Sequence, residues 1–195
     1  MAAILFLAVA YLLGSIPFGA LLVRWKKGAD IRTLGSGNIG ATNVLRTSGP
    51  ALGGATLLLD AGKAALPAAC ALLLFGTHSP VPALAVLAAF LGHLYPAYTR
   101  FTGGGKGVAT AAGGMLVLCP PAIGLAFVVF CLCLLLFRRV SVASMVGAAI
   151  MALTGMLAGY GFATAMAGVV MAALIVLRHK ENLLRLRQGT EPKIF

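Results

Sequence analysis

Three polar segments interrupt an otherwise apolar chain, and each carries groups suited to holding an anion. The first reads Asp30-Ile-Arg-Thr-Leu-Gly-Ser-Gly-Asn-Ile-Gly-Ala-Thr-Asn-Val-Leu-Arg46. Gly35, Gly37 and Gly40 alternate there with Ser36, Asn38, Thr42 and Asn43. Glycine lets backbone amides converge, and such concavities bind anions, above all ahead of a helix N-terminus. Arg46 adds a planar fork suited to phosphate. The alternative is an ordinary flexible loop, although flexible linkers rarely combine Ser, Asn and Arg with interspersed apolar residues such as Leu34, Ile39 and Val44. The second segment reads Gly103-Gly-Gly-Lys-Gly107 and opens an Ala-rich stretch. Gly103, Gly104, Gly105 and Gly107 around Lys106 form a phosphate cradle by the same physics, with positive φ expected at Gly104 and Gly105. No Ser or Thr follows Lys106, so this is not a Walker A motif; the alternative is a snorkelling lysine at a helix end. The third segment begins His179-Lys-Glu-Asn182 and runs to Glu191. His179 and Asn182 are three residues apart and share one helical face; the alternative is a solvated cationic helix end.

Other polar residues are fewer. His93 reads as a structural histidine at a helix end, and His78 sits in a loop away from the cationic segments. Asp60 and Lys63 lie inside an apolar run at a spacing that allows pairing, either as a structural ion pair or as part of the site. Asp30 and Glu191, two of the four carboxylates, fall in segments expected to be flexible. No Ser-His-Asp order is evident, and no His is followed by four residues and an Asp. The four cysteines lie in apolar runs without metal-ligand spacing, so neither disulfide, metal nor cofactor is expected. The simplest ligand for three anion-suited loops is a phosphorylated molecule.

The elements that must position these loops are membrane helices. The chain has 195 residues, of which 61% are hydrophobic and only 10% charged. A soluble domain is about a quarter charged. With lipid as solvent, spanning segments must be helices or closed barrels, and the long continuous apolar runs exclude a barrel. Seven runs are expected, at 2–23, 52–75, 81–98, 108–119, 121–137, 140–158 and 162–177, within a single polytopic membrane domain. Cys119-Pro120-Pro121 and Gly159-Tyr-Gly161 divide the two double-length runs. The run 108–119 is the shortest against the usual span of about 20 residues.

Charge orients the array. Net charge is +11, from 15 Lys+Arg and 4 Asp+Glu. Arg24, Lys26, Lys27, Arg32, Arg46, Arg100, Lys106, Arg138, Arg139, Arg178, Lys180, Arg185, Arg187 and Lys193 all fall on one face of a seven-span array; Lys63 lies inside a run. The positive-inside rule makes that face the cytoplasm, with the N-terminus outside and the C-terminus inside. The same cations could attract anionic lipid or bind an anionic substrate. Nucleic acid is not an expected partner, since no basic helix or aromatic platform stands clear of the membrane.

At these loops the sequence resembles the bacterial acyl-phosphate:glycerol-3-phosphate acyltransferases, the PlsY family. The resemblance rests on Gly35-Ser-Gly-Asn-Ile-Gly-Ala-Thr-Asn-Val-Leu-Arg46. It continues through Gly92-His-Leu-Tyr-Pro into Phe101-Thr-Gly-Gly-Gly-Lys-Gly-Val108, and through Arg178-His-Lys-Glu-Asn-Leu to Arg185-Leu-Arg-Gln-Gly-Thr-Glu191. Gly14-Ser-Ile-Pro-Phe-Gly19 and Leu59-Asp-Ala-Gly-Lys63 fit as well. It implies an all-α, seven-helix protein of the bacterial inner membrane that transfers an acyl group from acyl phosphate to glycerol 3-phosphate, giving lysophosphatidic acid. It also implies active-site roles for Ser36, Arg46, Lys106, His179 and Asn182. A transporter of a phosphorylated solute is the rival, but beyond Asp60 and Lys63 the runs hold almost no polar path. A membrane scaffold without activity would leave the three loops unexplained.

Overall fold

The computed structural model of the protein describes residues 1–194. Every regular element in it is helical. Beside two 3-10 turns, Ile31–Thr33 and Ala97–Thr99, the α-helices in chain order are α1 (Ala2–Gly14), α2 (Phe18–Lys27), α3 (Ala41–Ser48), α4 (Pro50–Phe75), α5 (Val81–Leu94), α6 (Val108–Leu118), α7 (Pro120–Phe137), α8 (Val140–Leu157), α9 (Phe162–Arg178) and α10 (Lys180–Arg187). They group into two units, Met1–Val117 and the chain from Leu118 onward.

Burial is inverted relative to a water-soluble domain. In α4 the buried residues are Gly53, Thr56, Asp60, Lys63, Ala64, Pro67, Ala68 and Ala71, while Leu58, Leu66, Leu73 and Leu74 are exposed. Lipid gives no hydrophobic drive between helices, so small residues that permit close backbone approach line the contacts and large ones face outward. In the first unit α5 packs against both α1 and α4, and α3 packs on α4. A Cβ at Gly14 would overlap the Ala89 carbonyl, and one at Gly92 would overlap that of Tyr11. Gly113 sits as tightly on Ala61 of α4. In the second unit α8 packs between α7 and α9. Gly92→Ala must therefore prise α1 from α5, at about 1–3 kcal/mol. The melting temperature in detergent should fall, whereas Gly124→Ala, whose Cβ meets nothing within 4 Å, should leave it unchanged.

The run 2–23, expected to be continuous, is broken at Ser15-Ile16-Pro17. Pro17 lacks an N–H and disfavours helix for Ile16. The Ser15 hydroxyl and amide both donate to the Tyr11 carbonyl, at 2.9 Å each. The Ile16 carbonyl accepts from the Phe18 amide at 3.1 Å and is left open to a second donor from another element. Five stretches are long and apolar enough to cross a membrane, counting Ala2–Lys27 as one. A sixth arises if α9 and α10, bent by 52° at His179, form one broken span. Helix α6 is apolar but has 11 residues, about 16 Å against a hydrocarbon core of about 30 Å. The breaks expected before Pro120 and around Gly159–Gly161 are both present.

Candidate active site

In the first unit the Ser36 loop is pinned from below by its own apolar residues. Ile31, Ile39 and Val44 are fully buried with Val23, and Leu34 and Leu52 pack against them. Asn43 is the internal strut. Its Oδ1 accepts from the Ser36 amide at 3.0 Å, and its Nδ2 donates to the Leu34 and Asn38 carbonyls at 3.0 and 2.9 Å. The Asn43 side chain, expected to touch substrate, is thus committed within the loop. Asn38 Oδ1 accepts from the Gly40 amide at 2.8 Å. Gly35 and Gly37 adopt positive φ, at 57° and 71°. The outcome is a braced loop that leaves Ser36 and Arg46 exposed and Thr42 in the first turn of α3.

The glycine loop lies beside it. The Arg32 side chain sits on Gly103, where a Cβ would approach its Nε to 3.1 Å. Positive φ occurs at Gly103 and Gly107, 65° and 84°, and not at Gly104 or Gly105 as expected. Those two glycines are required by space instead. A Cβ on Gly104 would overlap the Leu94 carbonyl, and one on Gly105 would overlap the His93 imidazole. The Gly105 amide donates to the His93 carbonyl at 3.1 Å. The loop is thus laid flat on the end of α5, and Lys106 rises half-buried at the start of α6.

Beneath the loop lies a buried polar chain. Lys63 Nζ stands 2.8 Å from Asp60 Oδ1, 2.8 Å from His93 Nδ1 and 3.0 Å from the Ile16 carbonyl. The Asp60 contact is close but poorly aligned for a hydrogen bond, so it acts chiefly as an ion pair. Asp60, Lys63 and His93 are each 3% exposed or less, which places them out of reach of bulk water. The i,i+3 spacing foretold the Asp60–Lys63 pair; His93 and Ile16 come from other elements and carried no such signal.

In the second unit Glu191 is the hub, not part of a flexible tail. Its Oε1 accepts from the Ser141 hydroxyl and from Asn182 Nδ2, at 2.7 and 2.6 Å, and its Oε2 from Arg185 Nε at 2.8 Å. Arg139 Nε donates to its carbonyl at 3.3 Å, and the Ile194 amide donates to the Arg138 carbonyl at 2.8 Å. His179 is not within a continuous helix but at the bend between α9 and α10, where Nδ1–H donates to the Ile175 carbonyl at 2.7 Å. His179 and Asn182 are both buried. Ser141 and Arg139 were missed from sequence, since no motif surrounds them.

Burial alone would raise the Glu191 carboxyl, but hydrogen bonds from Ser141, Asn182 and Arg185, with the Arg185 charge, outweigh it and hold it below its ordinary 4.5. A depressed carboxylate contributes stability above its unfolded pKa and loses it as pH falls through the folded one. Hydrogen exchange at residues 188–194 should therefore lose protection below about pH 4, and Glu191→Gln should remove that pH dependence. Protection that is unchanged in acid would show that the carboxylate does not hold the tail.

Similarity to known proteins runs the length of the chain. The family described as glycerol-3-phosphate acyltransferase matches residues 4–189. A glycerol-3-phosphate acyltransferase of Anaeromyxobacter sp. is 48% identical over 191 residues, covering 96% of this chain and 94% of that one. The crystal structure of PlsY, an integral membrane glycerol 3-phosphate acyltransferase, in its glycerol 3-phosphate form superposes with a TM-score of 0.95 at 40% identity. It covers 100% of this chain and 96% of that one. The lysophosphatidic acid form of PlsY gives 0.92 at 38% identity, with the same coverage.

Proposed function

Because the chain belongs to the glycerol-3-phosphate acyltransferase family, we propose that it acylates the 1-hydroxyl of glycerol 3-phosphate from a long-chain acyl phosphate. The products are lysophosphatidic acid and inorganic phosphate, the first acylation of phospholipid synthesis. The observation that carries the reading is the pair of adjoining loops in the first unit. The Ser36 loop and the glycine loop meet at Arg32 and Gly103, and between them carry the Ser36 hydroxyl, Arg46 and Lys106. An acyl phosphate is already activated, so the protein has mainly to position groups and neutralise charge.

The C1 hydroxyl oxygen attacks the acyl carbonyl carbon, the carbon–oxygen bond to phosphate breaks, and phosphate departs. Lys106, Arg46 and the loop amides at Gly35, Gly103, Gly104 and Gly107 hold phosphate oxygens, while Gly37 and Gly105, whose amides donate to the Leu34 and His93 carbonyls, shape the two loops. Ser36 and Thr42 orient a phosphate or the attacking hydroxyl. Asn38 and Asn43 shape the first loop. In the second unit His179 and Asn182 bind glycerol 3-phosphate, and Glu191 holds Asn182 in place. Purified protein in lipid, given radiolabelled glycerol 3-phosphate and acyl phosphate, should form labelled lysophosphatidic acid. No labelled lipid with a folded sample would refute the reading.

The proton of the hydroxyl passes to a phosphate oxygen of the substrates, whose second pKa lies near about 6. His179 then serves binding. His179→Gln should raise KM for glycerol 3-phosphate while leaving most of kcat, the pattern of lost uniform binding. A kcat lowered by about 10²–10⁴ with KM unchanged would instead make His179 the general base.

We also assign the protein to the bacterial inner membrane with seven crossings and the loops facing the cytoplasm, supported by the one-sided cations. Cysteines at Thr77 and Thr190, in a background lacking the native four, should be labelled by an impermeant reagent from opposite faces. Labelling of both from one face would rule out an odd number of crossings.

A further inference from the structure

The buried Asp60–Lys63–His93 chain touches no exposed loop group of the first unit except through His93, and it ends under the glycine loop. On one side of the imidazole, Nδ1 faces the Lys63 ammonium at 2.8 Å. On the other, Nε2 lies where a Cβ of Gly105 would overlap it. An ammonium has only donors. If Lys63 donates, Nδ1 must accept, and the single ring proton is fixed on Nε2, the nitrogen packed against Gly105. The ammonium is held from behind by Asp60 and by the Ile16 carbonyl at the break before Pro17. The Phe18 ring lies 5.7 Å from the same nitrogen. Four elements, the α1–α2 break, α4, α5 and the glycine loop, thus converge on the Lys63–His93 pair.

We propose that Asp60, Lys63 and His93 are positioning residues that set the height and orientation of the glycine loop, and hence of Lys106, by locking His93 as its Nε2–H tautomer against Gly105. None of the three touches substrate. The ion pair orients the ring, the ring supports Gly105, and Lys106 is the next residue along. The kinetic consequence rests on the acyltransferase reading above; the tautomer does not. A stability role alone would need only compensated charge, whereas this role needs a donor at Nδ1.

Two measurements separate these. In wild-type protein in lipid nanodiscs, ¹⁵N-histidine spectra should give His93, assigned by its loss in His93→Gln, one unprotonated Nδ1 and one protonated Nε2. In the paired variant Asp60→Asn/Lys63→Met no buried charge is left uncompensated, so the melting temperature should stay near wild type. Yet the ring has lost its donor, and kcat should fall by about 10²-fold, the scale of an ångström misplacement in a preorganised site, with KM for glycerol 3-phosphate little changed. A paired variant with wild-type kcat, or a wild-type His93 protonated at Nδ1, would overturn the proposal. If the paired variant does not fold, the wild-type spectrum decides alone. If wild-type protein makes no lysophosphatidic acid, the acyltransferase reading fails and the spectrum still tests the tautomer.

Discussion

Lys106→Ala is expected to reduce turnover by about 10²–10³-fold, the usual cost of removing one preorganised charge-stabilising donor, while the protein still folds. The lysine follows Gly105, whose amide is bonded to the His93 carbonyl, so its backbone is fixed. It is half-buried just before the start of α6. In the proposed reaction charge accumulates on the acyl oxygen and the departing phosphate in the transition state, and a fixed ammonium would meet that charge without reorganising. Loss of a charged hydrogen bond costs about 1–3 kcal/mol, the scale of folding cost expected. Lys106→Arg should recover only part of the rate, because a guanidinium places its donors farther out and in a plane. Product formation by purified variants at saturating substrates, with melting temperature alongside, checks this. Full turnover in a folded Lys106→Ala protein would remove the lysine from the chemistry.

Much of the architecture could be read without coordinates, for a physical reason. In a bilayer the backbone must satisfy itself, so a run of apolar residues of sufficient length has one outcome. The breaks at Pro120 and Gly159–Gly161 were legible because proline and glycine act locally. The interruption at Ser15-Ile16-Pro17 lay inside a run that hydropathy alone could not divide. Long-range polar partnerships were the least legible. The tail after Gly189 has few apolar residues and read as flexible, yet Ser141, fifty residues away, donates to Glu191. Asn43 has the right type and place for a ligand, but its amide is consumed by Leu34, Ser36 and Asn38 within the same loop. Residue type pointed to candidates for anion binding; only the path of the backbone separated the exposed groups from those that brace the loop.

The glycines of the second loop supply the other large effect. Positive φ was the natural reason to expect Gly104, since glycine is the usual occupant of the left-handed region. The structure gives a different one: its φ is ordinary, and a Cβ would run into the Leu94 carbonyl and approach the His93 carbonyl at 2.7 Å. Alanine has no backbone conflict there and only one methyl to place. A carbonyl at a helix end cannot retreat without disturbing α5, so the loop must rise instead, by roughly an ångström for contacts to reach ordinary van der Waals distance. Loss of positioning on that scale costs about 10²-fold. Gly104→Ala should therefore lower kcat by at least that factor, and Gly104→Val by more. Gly54→Ala is the contrast, because its Cβ meets nothing within 4 Å on an exposed face of α4. It should keep full activity and gain a few tenths to about 1 kcal/mol in stability from helix propensity. If Gly104→Ala turns over as fast as Gly54→Ala in equally folded samples, the loop is a spacer and its close seat on α5 has no bearing on catalysis.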